Sequence, residues 1–285
     1  MKPFRWDLRR REQLGRLLEG EEIPPFEGFE NEVRQAVARI VATAGDARLV
    51  FLGRSLETFF DYLSGVMLST PWVERLDLVN LSLRHQEGRL ATETRLAFRD
   101  HLETLEMGPR AIAAGRWPVA IVDLVHSGGT IRDFVDLLLR WADDLRLDRA
   151  AVRRRLRIVG VTYRTKSSPN TRRWQQAASA AWLDEYPRIA AKNVSIPGRL
   201  WAYLGNDQPK VTPSHPPWRW ADPTAAEPDR HPWHLLALRH AVRVFDRGRQ
   251  PAERERFAAA LAQTPALRSR WGRELVLELR SRANP

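Results

Sequence analysis

Thirteen residues near the middle of the chain, Val119 to Ile131, constrain the fold more than any others: V-A-I-V-D-L-V-H-S-G-G-T-I. An apolar run without alternation marks a strand covered on both faces, as in a parallel sheet. This one ends in an acid, Asp123, and passes through small residues into a helix. The stripe Ile131, Phe134, Val135, Leu138 and Leu139 falls at helical spacing.

The same unit recurs along the chain. Arg48 to Leu52 reads as a buried strand ending in Gly53–Arg54–Ser55, and Leu56 to Leu68 as the helix after it. Leu76 to Leu83 and Leu156 to Tyr163 read as further strands; Glu93 to Glu106 and Asn170 to Leu183 read as further helices. Strands alternating with helices at this pitch predict a three-layer α/β fold with an open, mostly parallel sheet. The expected organisation is an N-terminal arm (1–26), the α/β domain (27–195), a Pro- and Trp-rich irregular segment (196–230) and a helical C-terminal extension (231–285).

The turn after Asp123 has a chemical reading and a plain one. Ser127, Gly128, Gly129 and Thr130 can wrap backbone N–H groups around a phosphate, with the helix dipole and two hydroxyls assisting. Asp123 can accept hydrogen bonds from sugar hydroxyls or hold Mg²⁺ through water. In the plain reading, Ser127 to Thr130 is a turn and helix cap, and Asp123 an ordinary acid at a strand end. No G-x-x-x-x-G-K-[ST] or G-x-G-x-x-G pattern occurs there. If the strands are parallel, Gly53, Arg54 and Ser55 share the ligand-bearing edge with this turn, as do Arg164 and Lys166. His126 lies within the turn, where it can donate to a phosphate.

This stretch resembles the phosphoribosyltransferase family of type I. Its signature is a short apolar strand, two acids, a variable stretch and T-G-G-T or similar around the 5-phosphate of phosphoribosyl pyrophosphate. Ser127, Gly128, Gly129 and Thr130 match the phosphate loop, and Asp123 the second acid. The first acid is replaced by Val122, which weakens the expected hold on ribose and the expectation of turnover. The resemblance also makes Gly53–Arg54–Ser55 a pyrophosphate-binding turn, with Arg54 neutralising the leaving group. It implies Mg²⁺ as cofactor, and Asp123 and Arg54 as the residues carrying phosphoribosyl transfer to a nucleobase.

Composition narrows the alternatives. With no cysteine among 285 residues, disulfides, thiolate nucleophiles and Cys-ligated metals are excluded. The formal charge of +11, carried by 42 arginines and only four lysines, favours an anionic partner. Arg149 to Arg173 holds nine basic residues and no acid. The fourth strand divides this cluster between opposite sheet edges, so nucleic acid is the less favoured partner. Two other readings stay open: a regulatory protein that binds a nucleotide or phosphosugar without turning it over, and a protein partner held by the C-terminal helices. Residues 1–13 have no apolar run and no segment is long enough to cross a bilayer, so the expectation is a cytoplasmic protein away from membranes.

Overall fold

Apolar runs become the central strands because each can bury both faces between helices. The computed structural model describes residues 5–21, 25–81, 90–164, 174–176, 178–214, 216–222, 224 and 228–281. The strands are β1 (Arg48–Leu52), β2 (Leu76–Val79), β3 (Val119–Leu124), β4 (Leu156–Tyr163) and β5 (Ala190–Ile196). They lie in the order β2-β1-β3-β4-β5, and every pair is parallel.

Period-two alternation divides the strand side chains between two cores. Leu49, Phe51, Ala120, Val122, Val159 and Val161 face one core with helices α1 (Phe29–Ala44) and α2 (Glu57–Met67). Val50, Leu52, Val119, Ile121, Leu156 and Ile158 face the other, with α3 (Thr92–Thr104), α4 (Pro109–Ala114), α5 (Gly129–Asp144) and α6 (Arg149–Arg155). A three-layer α/β architecture results.

The C-terminal third contributes α7 (Gly198–Ala202), α8 (Pro232–Arg249), α9 (Pro251–Ala262) and α10 (Arg270–Ser281). Phe257, Leu261, Leu275 and Leu279 join the α1/α2 core and are fully buried. Each such side chain contributes about 1.5–3 kcal/mol by leaving water. Helices α2 and α8 meet backbone to backbone: a Cβ on Gly65 would lie 2.1 Å from the Phe245 carbonyl oxygen, and one on Gly248 2.5 Å from that of Tyr62. Glu253 ties this side together. It accepts from Nε and Nη2 of Arg34 (2.6 and 3.0 Å) and from the Tyr62 hydroxyl (2.9 Å).

Three elements differ from the sequence expectation. β5 was not expected, because Ala190 to Asn193 alternates between exposed and half-buried positions and becomes apolar only at its end. It extends the α/β unit to Ile196. Where a helix was expected from Asn170 to Leu183, the described residues form 3₁₀ turns at Trp174–Gln176 and Ala178–Glu185. Trp174 and Trp182 are buried there against the α5 face. The second strand ends at Val79, with residues 82–89 outside the described part. Among the described residues no helix is long and apolar enough to cross a membrane.

Candidate functional site

The strand order sets where a ligand can enter. The helix after β1 packs on one face of the sheet and the helix after β3 on the other. These neighbouring strands therefore send their chains apart at their carboxyl ends. In open α/β sheets this topological switch point forms the binding crevice. Gly53–Ser55 follows β1 and His126–Thr130 follows β3, so both sequence-predicted turns border it.

The β3 turn is shaped by Gly128. Its φ of +83° and ψ of +7° place it in the left-handed region, immediately before α5. Any Cβ there would also lie 2.6 Å from Cζ3 of Trp174, a side chain only 1% exposed. Gly129 and Thr130 open the helix, and no side chain caps it. The N–H groups of that first turn keep their dipole and their donor capacity for a ligand. His126 and Ser127 are exposed at the mouth.

Asp123 projects to the α5 face, as Val119 and Ile121 do, and is 8% exposed. Its Oδ1 accepts from the N–H of Leu124 at 2.8 Å, and no basic side chain pairs with it among the described residues. Burial pushes its pKa up to about 8, partly opposed by that N–H. Near neutral pH it is a protonated acid, able to donate one hydrogen bond and accept another. Val122, one position earlier, points the other way and is fully buried in the α1/α2 core.

On the β1 side, Gly53 has φ +67° and donates to the Val79 carbonyl at 2.8 Å, extending the pairing with β2. Ser55 does not cap α2; the residue before the helix is Leu56, and no side chain caps it either. Arg54 is half-buried, and its Nη1 donates to the Thr212 carbonyl at 3.0 Å. Burial lowers its pKa, with Glu57 opposing the fall.

Arg164 lies at the other end of this edge. It is exposed, and its N–H donates to the Ile196 carbonyl at 2.7 Å. Its charge is felt by Arg39 on α1, which places it toward the α1 face and over β4–β5. Lys166 falls outside the described residues. Among the described residues no three His, Asp or Glu side chains gather into a metal site.

Sequence reading misses Trp174, Glu57 and Thr212 as parts of this region, and offers Lys210 only among residues that could lid an aromatic ligand, with packing the favoured alternative. Trp174 packs over Gly128 and Gly160, so two glycines on different elements were the available signal. For Lys210 the signal was its rarity, one of four lysines beside 42 arginines. Comparisons with protein-family models, curated proteins and solved structures return no match.

Proposed function

We propose that the crevice between the ends of β1 and β3 binds a phosphorylated ribose compound, phosphoribosyl pyrophosphate or a related nucleotide. The observation that carries this reading is the convergence at the switch point of two helices without side-chain caps, each entered through a left-handed glycine turn. The 127–130 turn would take the 5-phosphate on backbone N–H groups and the hydroxyls of Ser127 and Thr130, with His126 as a donor at the mouth. Gly53, Arg54 and Ser55 would face a second, pyrophosphate group. Arg164, on the β4 end of the same edge, is the more distant candidate for ligand contact; Lys166, outside the described residues, stays a candidate from the sequence alone.

Asp123 would bind a ribose hydroxyl. With no cluster of three His, Asp or Glu side chains among the described residues, it suits Mg²⁺ only when the ligand's phosphates supply most of the oxygens. Bound in that way, the ion would neutralise phosphate charge, and the carboxyl would first release its proton. In phosphoribosyl transfer, Arg54 would stabilise the departing pyrophosphate, and the phosphate turn would hold the sugar in place for attack by a nucleobase. Val122 favours the second reading, binding without turnover, because the position of the other acid is given to the apolar core.

Thr130→Asp separates ligand binding from folding. A carboxylate in the first turn of α5 favours the helix dipole by about 0.3–1 kcal/mol, yet it repels phosphate. Calorimetric titration with phosphoribosyl pyrophosphate and Mg²⁺ should give heat with the native protein and none with the variant, whose melting temperature is equal or higher. No heat from the native protein, or equal heat from both, would overturn the proposal. Pyrophosphate release with a panel of bases distinguishes transferase from binding protein.

A further inference from the structure

Above the β1–α2 turn runs a segment, residues 204–212, held to its surroundings by three hydrogen bonds and closed on itself by a fourth. The Val211 N–H donates to Glu57 Oε1 at 2.8 Å, and Arg54 donates to the Thr212 carbonyl. The Lys210 ammonium donates to the Leu204 carbonyl at 2.6 Å, and the Lys210 carbonyl meets Nδ1 of His234 on α8 at 2.7 Å. Leu204 itself is fully buried in the α1/α2 core. The segment is thereby fixed as a strap over the carboxyl end of β1, with Lys210 half-buried beside Arg54.

Charge beneath the strap is even in number, Arg5, Arg54 and Lys210 against Glu57, Asp61 and Asp207, but unevenly paired. Arg5 from the N-terminal arm pairs with Asp61 through two hydrogen bonds (2.7 and 2.5 Å) and approaches Glu57 at 3.6 Å. These acids are almost fully buried. Arg54 and Lys210 are left with Glu57, already engaged by Arg5 and the Val211 N–H, and with the exposed Asp207. Burial pulls the Lys210 pKa down to about 8; Glu57 and Asp207 resist the fall and Arg54 adds to it. Two buried polar atoms of the strap, Thr212 Oγ1 and Gln208 Oε1, have no hydrogen-bond partner. The Thr212 hydroxyl is costly to bury without a partner, as is Glu57 Oε2 beneath the strap, while the hydrogen bonds of Arg54 and Lys210 among the described residues go to backbone carbonyls rather than to an anion.

We infer that Lys210 and the Thr212 hydroxyl, carried by the 204–212 strap, complete with Arg54 an anion subsite for a pyrophosphate group. This subsite deepens the reading above and rests on it. It makes the strap a determinant of specificity: ligands with a pyrophosphate are distinguished from those with a 5-phosphate alone. Lysine suits the place because a compact ammonium with three donors can bond Leu204 and still face a ligand.

The test compares inorganic pyrophosphate, ribose 5-phosphate and phosphoribosyl pyrophosphate, each with Mg²⁺, on the native protein, Lys210→Met and Thr212→Val. The native protein should bind phosphoribosyl pyrophosphate more tightly than ribose 5-phosphate. Lys210→Met should weaken pyrophosphate and phosphoribosyl pyrophosphate by about tenfold or more and leave ribose 5-phosphate unchanged. Thr212→Val keeps the shape while removing an orphaned hydroxyl, so it should melt no lower than the native protein and still lose pyrophosphate affinity. Unchanged pyrophosphate binding in Lys210→Met, or in Thr212→Val should Lys210→Met fail to fold, overturns the subsite while ribose 5-phosphate binding upholds the wider reading. Pyrophosphate binding that depends on Lys210, without ribose 5-phosphate binding, upholds the subsite and sinks the wider reading. Binding of none of the three overturns both.

Discussion

Replacing Gly128 by alanine tests whether the 127–130 turn is built as described. Two costs follow from the geometry. A non-glycine residue at φ +83° pays about 1–2 kcal/mol for the left-handed conformation. The added Cβ would also lie 2.6 Å from Cζ3 and 3.1 Å from Cε3 of Trp174. That indole cannot swing aside, because its other edge is pressed on Gly160 and it is 1% exposed. Overpacking of this kind costs about 1–3 kcal/mol. Gly128→Ala should therefore lose about 2–5 kcal/mol.

Gly129→Ala is the internal control. Its Cβ would meet nothing nearer than Ser127 Oγ at 3.9 Å, and its φ is not positive. Loss of glycine's backbone freedom should make that variant neutral or up to about 1 kcal/mol more stable. Urea denaturation of both variants reads the contrast directly. In a cycle with Trp174→Leu, the packing part of the Gly128→Ala cost should shrink while the strain remains, giving a coupling of about 1–3 kcal/mol. Equal stability of the two alanine variants, or strict additivity with Trp174→Leu, would refute the account.

Two further predictions concern the frame around the site. His240 on α8 is 4% exposed, and neither ring nitrogen has a hydrogen-bond partner; burial, aided by Arg243, lowers its pKa to about 4. The unfolded chain then binds the extra proton between about pH 6.5 and 4, so stability is complete above pH 6.5 and falls by about 1.4 kcal/mol per unit below it. Denaturation midpoints at pH 4.5 and 7 should differ less in His240→Leu than in the native protein, and an identical difference would dismiss this cause. Gly65→Ala must drive α2 and α8 apart, since its Cβ would lie 2.1 Å from a backbone oxygen. It should lose about 3 kcal/mol or more, read as a lower thermal midpoint; an unchanged midpoint would mean that the close helix crossing is wrong.

What the sequence reveals depends on how local each cause is. β4 is legible from Leu156 to Tyr163 because Ile158 to Val161 carry no polar side chain and Leu156 and Tyr163 flank them. β5 is not, since its first half is too polar for a covered strand and its pairing with β4 comes from the tertiary fold. The two glycine turns are legible because small residues at a strand-to-helix junction have few other uses. The strap is not: Arg54 and Thr212 are 158 positions apart, and nothing in either neighbourhood anticipates their hydrogen bond. Trp174 and Trp182 have spacing compatible with a helix, and only the sheet face they cover reveals the 3₁₀ turns.

The two edges of the sheet separate volume from chemistry. A cavity of about 480 Å³ opens at the amino edge, between the starts of β4 and β5 and the segment around Trp271. Its arginine is already spent, with Arg157 Nη1 donating to the Ala44 carbonyl at 2.6 Å and to Asp46 at 3.0 Å. The carboxyl edge instead gathers two helix starts without side-chain caps, the half-buried cations Arg54 and Lys210 and, among the described residues, an acid with no counter-ion, Asp123. There the period of β3 explains the single acid. Positions 122 and 123 face opposite sides of the sheet, and the α1/α2 core extends to the end of the strand. An acid at 122 would be buried among Leu49, Phe51 and Val159 at a cost of several kcal/mol. A core that reaches the crevice thus leaves position 123, and not 122, able to carry an acid.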